Sequence, residues 1–292
     1  MSRAQNPAAY YADLTRQYGR YAGRARGWHY GIWEPDTRSH QQALLRSNEI
    51  LLRGLDITPA TRILDVGMGA GGFAVWAATK FGCRVTGITV CAPHVDLARG
   101  LAHHAGVADR CDFHEMNMDA LSFQDGRFDC VVNQDTLCHA SDKPAYLASV
   151  ARALRPGGTW RAIDFSIQEA PFSPSQQRDY EAACDGFHMP SMIAPSTVTT
   201  ALAAATFHGV EVVDYTRQVQ RAARLILRQC YGPLALKAVG LDWLIFSRDA
   251  DQLRHRRGHI TAAVGYSRGL LNLYFRHMFY SASSSHFPGG PS

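Results

Sequence analysis

The chain has 292 residues, a hydrophobic fraction of 46%, a charged fraction of 19% and a formal net charge of +5. These values fit a globular chain with a sizeable core and argue against nucleic acid as a partner, because the densest basic run is Arg254-His255-Arg256-Arg257. Seven cysteines without C-x-x-C spacing, no apolar N-terminal run and no stretch of membrane-spanning length imply reduced thiols, no metal site, no membrane span and a cytoplasmic location.

Residues 1–55 read as a helical and aromatic lid ahead of the core. Tyr10, Tyr11, Leu14, Tyr18 and Tyr21 recur at helical spacing. That stripe either packs on the core, closes over a ligand or docks on a neighbouring subunit to make a homo-oligomer. Trp28-His29-Tyr30-Gly31-Ile32-Trp33 forms an aromatic knot, and Ser39 to Leu55 patterns as an amphipathic helix.

Residues 56–166 alternate short apolar runs with helical patterns. Strands are predicted at 62–67, 83–89, 111–116, 128–134 and 159–166, and helices near 71–81, 92–105 and 143–154. Such alternation implies an α/β fold with a doubly wound, mainly parallel sheet, in which ligands sit beyond the carboxyl ends of the strands. The first of those ends is Ile63-Leu64-Asp65-Val66-Gly67-Met68-Gly69-Ala70-Gly71-Gly72-Phe73. Its glycines let the backbone turn sharply and approach a ligand before a helix opens. Gly67, Gly69 and Gly72 satisfy the dinucleotide pattern G-x-G-x-x-G, so a nicotinamide oxidoreductase is one reading. Two details favour another. Asp65 stands inside the turn, where it suits a ligand carrying positive charge, and no acid closes the second strand to hold a nicotinamide ribose.

The other strand ends carry Thr89 and His94, then Asn117-Met118-Asp119, then Gln134-Asp135-Thr136-Leu137-Cys138-His139. Asp135 and His139 are four apart, so one helical turn would bring them to a common face, where an acid can fix the tautomer of an imidazole. Residues 167–271 read as a substrate cap holding a sixth strand at 209–215 and a helical insertion at 216–268. Pro171, Pro174, Pro190 and Pro195 punctuate it, and Phe187 to Ile193 reads as an apolar loop that walls a pocket. Arg217, Arg221, Arg224 and Arg228 share one helix face, either a solvated stripe or an anion site. Residues 272–284 read as the closing strand, and the Ser/Gly/Pro-rich residues 285–292 as a flexible tail.

Asp65-x-Gly67-x-Gly69-x-Gly71 and, in register after it, Leu154-Arg155-Pro156-Gly157-Gly158 resemble the motifs of class I S-adenosylmethionine (SAM)-dependent methyltransferases. The resemblance covers residues 28–166 well. It implies a Rossmann-like sheet of seven strands with the last antiparallel, and SAM as cofactor, leaving as S-adenosylhomocysteine. Tyr30-Gly31-Ile32-Trp33 resembles a segment of the sterol, tocopherol and terpenoid methyltransferases. Carried over residue by residue, Tyr30, Asp65, Gly67, Gly69 and Gly71 would hold the methionine end of the cofactor. Thr89 and His94 would lie by the ribose, Asn117 and Met118 by the adenine, and Gln134 along the cofactor backbone. The absence of an acid at position 89 departs from most members. His139 would serve as base with Asp135 orienting it, and Tyr30 is a third catalytic candidate. Tyr18, Tyr21, Trp33, His139, Phe187 and Trp243 would contact substrate. The favoured expectation is methylation of a prenyl or terpenoid carbon of an apolar natural product through a carbocation, with aromatic faces to stabilise it. N- or O-methylation of a small amine or phenol is the alternative, because Gln134-Asp135-x-x-x-His139 also resembles glycine-derivative N-methyltransferases. A non-catalytic binding module on the same fold is a further reading.

Overall fold

The computed structural model describes residues 7–21, 27, 29–244 and 249–285, with side chains throughout except at 7 and 16–21. The side chains of Tyr18 and Tyr21, the residue Trp28 and the tail beyond 285 therefore lie outside the described residues.

Seven strands form one sheet: β1 (Arg62–Val66), β2 (Arg84–Thr89), β3 (Cys111–Glu115), β4 (Phe128–Gln134), β5 (Leu154–Ile167), β6 (Phe207–Asp214) and β7 (Phe275–Ser284). Their spatial order is β3-β2-β1-β4-β5-β7-β6. The first five strands run parallel, and β7 lies antiparallel between β5 and β6. In β1, Ile63 pairs with Val85 on one side and Cys130 on the other. Successive strand residues face opposite sides of a sheet. Accordingly Ile63, Cys130 and Val132 join one apolar cluster, and Leu64, Val66 and Val131 join a second. The chain leaves β1 in one direction toward β3 and returns to build β4 on its other side. That switch opens a crevice at the carboxyl ends of β1 and β4, the expected place for a ligand.

Nine helices are seen among the described residues: α1 (Pro7–Tyr21), α2 (His40–Leu52), α3 (Gly72–Phe81), α4 (Ala92–His104), α5 (Lys143–Ala153), α6 (Pro174–Phe187), α7 (Pro195–Ala204), α8 (Thr216–Ala238) and α9 (Ala250–Leu271). Their starts are written in the sequence. Ser39 and Ser173 each accept the backbone N–H of the residue three positions on, and Gln42 and Gln176 return the bond, giving reciprocal caps on α2 and α6. Each such cap contributes about 1 kcal/mol. Pro174 and Pro195 punctuate the cap region as expected, but they do so by opening helices, where a missing N–H costs nothing.

Three boundaries depart from the sequence reading. The Pro156-Gly157-Gly158 turn, expected ahead of the fifth strand, is a bulge within it: the register jumps between the Phe128–Leu154 and Cys130–Thr159 pairs. Phe187 closes α6 instead of opening a loop. The insertion resolves into two long helices, α8 and α9. At Gly186 an added Cβ would lie 2.1 Å from the Gly258 carbonyl oxygen, so α6 and α9 cross backbone to backbone.

Candidate active site

The glycine turn after β1 is pinned to the neighbouring strand. The N–H groups of Gly67 and Met68 both donate to the Ile88 carbonyl, each at 2.9 Å. Gly67 has φ +75°, and a Cβ there would meet Thr136 Cγ2 at 2.4 Å. Thr136 in turn donates to the Val66 carbonyl at 2.8 Å and receives Asn133 Nδ2 at 2.8 Å. The ends of β1 and β4 are thus locked together by one hydroxyl, and only glycine fits beneath it. Gly71 differs from the expectation. It has φ +81°, and its missing Cβ makes room for Ala98 of α4 at 2.6 Å, so it serves packing rather than the cavity.

A cavity of about 460 Å³ opens over this turn. Asp65, Gly67, Gly69, Thr89, His94, Asn117, Met118 and Gln134 all line it. Of the residues expected around the cofactor, only Tyr30 and Gly71 are not on its wall. Asp65 is buried with no hydrogen-bond partner for Oδ2. Desolvation alone raises its carboxyl to about 7. A sealed carboxylate without a partner, facing a cavity, is what a ligand ammonium group would satisfy, so the residues present fit SAM. His94 is not a surface histidine: it is buried, and burial lowers its pKa to about 4. The Thr89 hydroxyl accepts the Cys91 N–H at 3.2 Å and keeps its proton for another acceptor. Asn117 Oδ1 accepts the Asp119 N–H at 3.0 Å, so one of its two lone pairs is already used.

A second cavity, about 210 Å³, adjoins the first. Tyr30, Phe165 and Phe187 supply aromatic faces, and Ile226, Pro233 and Ala263 supply aliphatic wall. Tyr11, Gly27, His29, Asp135 and His139 line both cavities and so mark their junction. No Lys or Arg lines either one among the described residues.

The loop that carries this junction is held by Asp164. Its carboxylate accepts four backbone N–H groups, from Thr136, Leu137, Cys138 and Phe165, at 2.6–3.1 Å. Burial still lifts its pKa to about 6. The expected Asp135–His139 dyad does not form. Asp135 adopts φ +52°, and only Leu137–His139 makes a helical turn, so the two side chains part. Asp135 Oδ2 accepts the Tyr30 N–H at 3.3 Å, while Oδ1 lies 3.6 Å from Nε2 of the buried His277. Burial and the nearby Asp164 push the Asp135 pKa well above the carboxylate range, and burial pulls His277 down to about 3. Burial thus disfavours the charged form of both groups. His139 instead bonds the His188 carbonyl through Nδ1 at 3.3 Å and the Tyr11 hydroxyl through Nε2 at 3.0 Å. A carbonyl only accepts, which puts the proton on Nδ1 and the basic lone pair on Nε2. Desolvation lowers its pKa to about 4.

Three other expectations move. Tyr30 turns its hydroxyl to Ser267 at 3.1 Å and belongs to the second cavity, where its own pKa is driven above the phenol range by burial. Trp33 lines neither cavity and lies under Arg221, whose guanidinium is 4.0 Å from the ring centroid. Trp243 sits half-buried in a short turn after α8 and also lines neither. Four residues the sequence left unassigned do reach the site: Tyr11, His29, His188 and His259. They come from α1, the 27–33 segment, the loop after α6 and α9, and no local spacing links them.

A doubly wound sheet with its last strand antiparallel, a glycine turn after β1 and a buried acid facing the crevice together define a class I methyltransferase. Comparison with known proteins agrees. Residues 63–158 match the family described as "Methyltransferase domain". The tocopherol O-methyltransferase of Arabidopsis thaliana chloroplasts is 26% identical over 263 residues, covering 83% of this chain and 73% of its own. Two further curated relatives are matched over 64% and 53% of their own lengths. Among solved structures, the [4+2]-cyclase SpnF superposes with a TM-score of 0.79 at 22% identity, covering 97% of both chains. A geranyl diphosphate methyltransferase solved with geranyl diphosphate and sinefungin superposes with a TM-score of 0.72 at 18% identity, covering 95% of this chain and 97% of its own. With the domain match and the curated relatives, these features make the chain a SAM-dependent methyltransferase acting on small molecules.

Proposed function

We propose that the chain methylates a hydroxyl oxygen on an uncharged, largely apolar natural product seated in the second cavity, with His139 as the base. The observation that carries this reading is the junction itself: His139 lines both cavities, and its Nε2 lone pair accepts the Tyr11 hydroxyl. A substrate hydroxyl that replaces Tyr11 there would donate to Nε2. SAM supplies an electrophilic methyl on a sulfonium. As the oxygen is methylated, Nε2 would take up the hydroxyl proton. Asp65 would hold the donor's ammonium end, Gly67 and Gly69 would let it lie close to the backbone, and Thr89, His94, Asn117, Met118 and Gln134 would line the remainder. Alignment of the two reactants is the larger part of the catalysis, up to about 7–11 kcal/mol in well-oriented systems. The similarity to an O-methyltransferase supports an oxygen acceptor.

A carbon acceptor is the second reading, favoured by the aromatic faces of Tyr30, Phe165 and Phe187 around the second cavity. They would shield a cation left on a methylated prenyl double bond. Among the described residues the cavity walls hold no Lys or Arg to meet a diphosphate, which favours a prenyl group carried on an uncharged molecule.

Incubation with methyl-labelled SAM and a panel of phenols, hydroxylated polyketides, prenylated indoles, prenyl diphosphates and amines separates these. Label on oxygen is expected. Label confined to carbon or nitrogen would sink the oxygen assignment. His139→Ala should lower kcat by about 10²–10⁴-fold with S-adenosylhomocysteine affinity unchanged.

A further inference from the structure

The positive charge of this protein is not spread evenly. Residues 216–271 hold ten Lys and Arg against three Asp, a net +7, while the whole chain is +5 and the remainder therefore −2. This segment is the α8–α9 pair. Between Thr216 and Ala238, α8 contains no acid at all, and Arg217, Arg221, Arg224 and Arg228 are all exposed.

The same pair carries four of the six most exposed large hydrophobic residues among those described. Tyr231 is 63% exposed, Val239 67%, Leu241 42% and Leu244 59%, all within the last turns of α8 and the short turn that follows. The other two, Val210 and Val212, sit on the edge strand at 37%. Scattered single apolar residues on a surface are ordinary, but a run of them at the tip of a cationic helix is not. The inner side of this helix pair walls the acceptor cavity through Ile226, Pro233 and Ala263. A basic helix, an apolar tip and an apolar pocket are thus continuous.

We infer that the tip formed by the end of α8 and the turn after it docks on an anionic lipid surface, with Val239, Leu241 and Leu244 entering the headgroup boundary and Arg224, Arg228 and Lys237 facing lipid phosphates. Burial of aliphatic side chains and attraction between cations and anionic lipid are the two terms that hold peripheral proteins to bilayers. An acidic carrier protein would use the charges but leaves the aliphatic tip without a purpose, and a second copy of this chain would place like charges together. The inference concerns a surface and holds whichever atom is methylated.

The test is flotation of the whole protein with phosphatidylcholine vesicles, with and without phosphatidylglycerol, read without any methyl-transfer assay. Wild type is expected to float only with the anionic vesicles, and less as salt rises. Arg224→Glu/Arg228→Glu is expected to weaken binding at least tenfold, the order expected when two cations leave such a surface. Val239→Glu/Leu244→Glu is expected to abolish it, with wild-type turnover of a water-soluble acceptor showing that the variant is folded and the cavities intact. Absence of wild-type binding to anionic vesicles overturns the inference. So does equal binding by the tip variant, or sedimentation showing that the tip variant converts a dimer to a monomer while vesicle binding is absent.

Discussion

Asp65 and Asp164 are both carboxylates sealed from water, and they are treated oppositely. Asp164 accepts four backbone N–H groups and fixes the loop that presents His139. Asp65 keeps an oxygen without a partner, and its pKa rises from 3.8 to about 7. A carboxyl whose folded pKa lies above its unfolded one stabilises below pH 3.8 and loses that contribution as pH rises to about 7. Ligand-free protein at pH 8 therefore carries a cost on the order of a few kcal/mol at this one residue. Asp65→Asn is expected to raise the Tm of the ligand-free protein at pH 8 and to weaken S-adenosylhomocysteine binding about 10- to 100-fold, measured by scanning calorimetry and isothermal titration. A fall in both would show that Asp65 supports the fold rather than the cofactor. Asp135 makes a parallel case. Burial and Asp164 favour its uncharged form, burial does the same for His277 beside it, and Asn tolerates φ near +50°. Asp135→Asn should change stability by no more than about 1 kcal/mol; a larger loss in chemical denaturation would mean that the carboxyl is ionised.

At the scale of elements, the strand positions followed from patterns confined to a few residues each. Asp65, the glycine turn and the ends of β2, β3 and β4 were legible because apolar period and turn chemistry are local, whereas the antiparallel sense of the closing strand came from the family resemblance. The acceptor side was not. His139 was found through its strand, but its partners Tyr11 and His188 arrive from α1 and the loop after α6, and Asp135 turns away because of a left-handed backbone that no spacing encodes. Trp33, read as pocket wall, and Arg221, read as part of a solvated stripe or an anion site, satisfy each other. Arg221→Ala should leave kcat and KM unchanged within about twofold and cost about 0.5–1 kcal/mol of stability, the worth of an exposed cation–π contact; a large rise in KM would return the stripe to substrate binding.

Helix α1 has its own pH dependence. Tyr10 shares a hydrogen bond with His259 and Tyr11 with His139, and burial holds both imidazoles near 4. If α1 lifts, water reaches them and their pKa returns toward 6.5. Protons therefore favour the lifted helix, and the closed one is fully favoured only above pH 6.5. Asp13 of the same helix also contacts His255. Proteolysis within α1, or exchange of its amides, should accelerate as pH falls from 7 to about 5, after correction for intrinsic exchange; a flat profile would remove the two imidazoles as its anchors.

For the molecule as a whole, one helix borders two rooms. Ala8 and Tyr11 line the cofactor cavity, and Tyr10 and Tyr11 line the acceptor cavity. If α1 is the gate to both, spent cofactor and methylated product leave by the same opening, and neither is exchanged while the helix stays latched. Each catalytic cycle then includes an unlatching whose rate is independent of the methyl acceptor's reactivity. Turnover should become insensitive to the choice among good acceptors, and a pre-steady-state burst of about one product per enzyme should precede a slower steady rate. Tyr11→Phe, which removes the hydroxyl from His139, is expected to speed that steady phase and leave the burst in place.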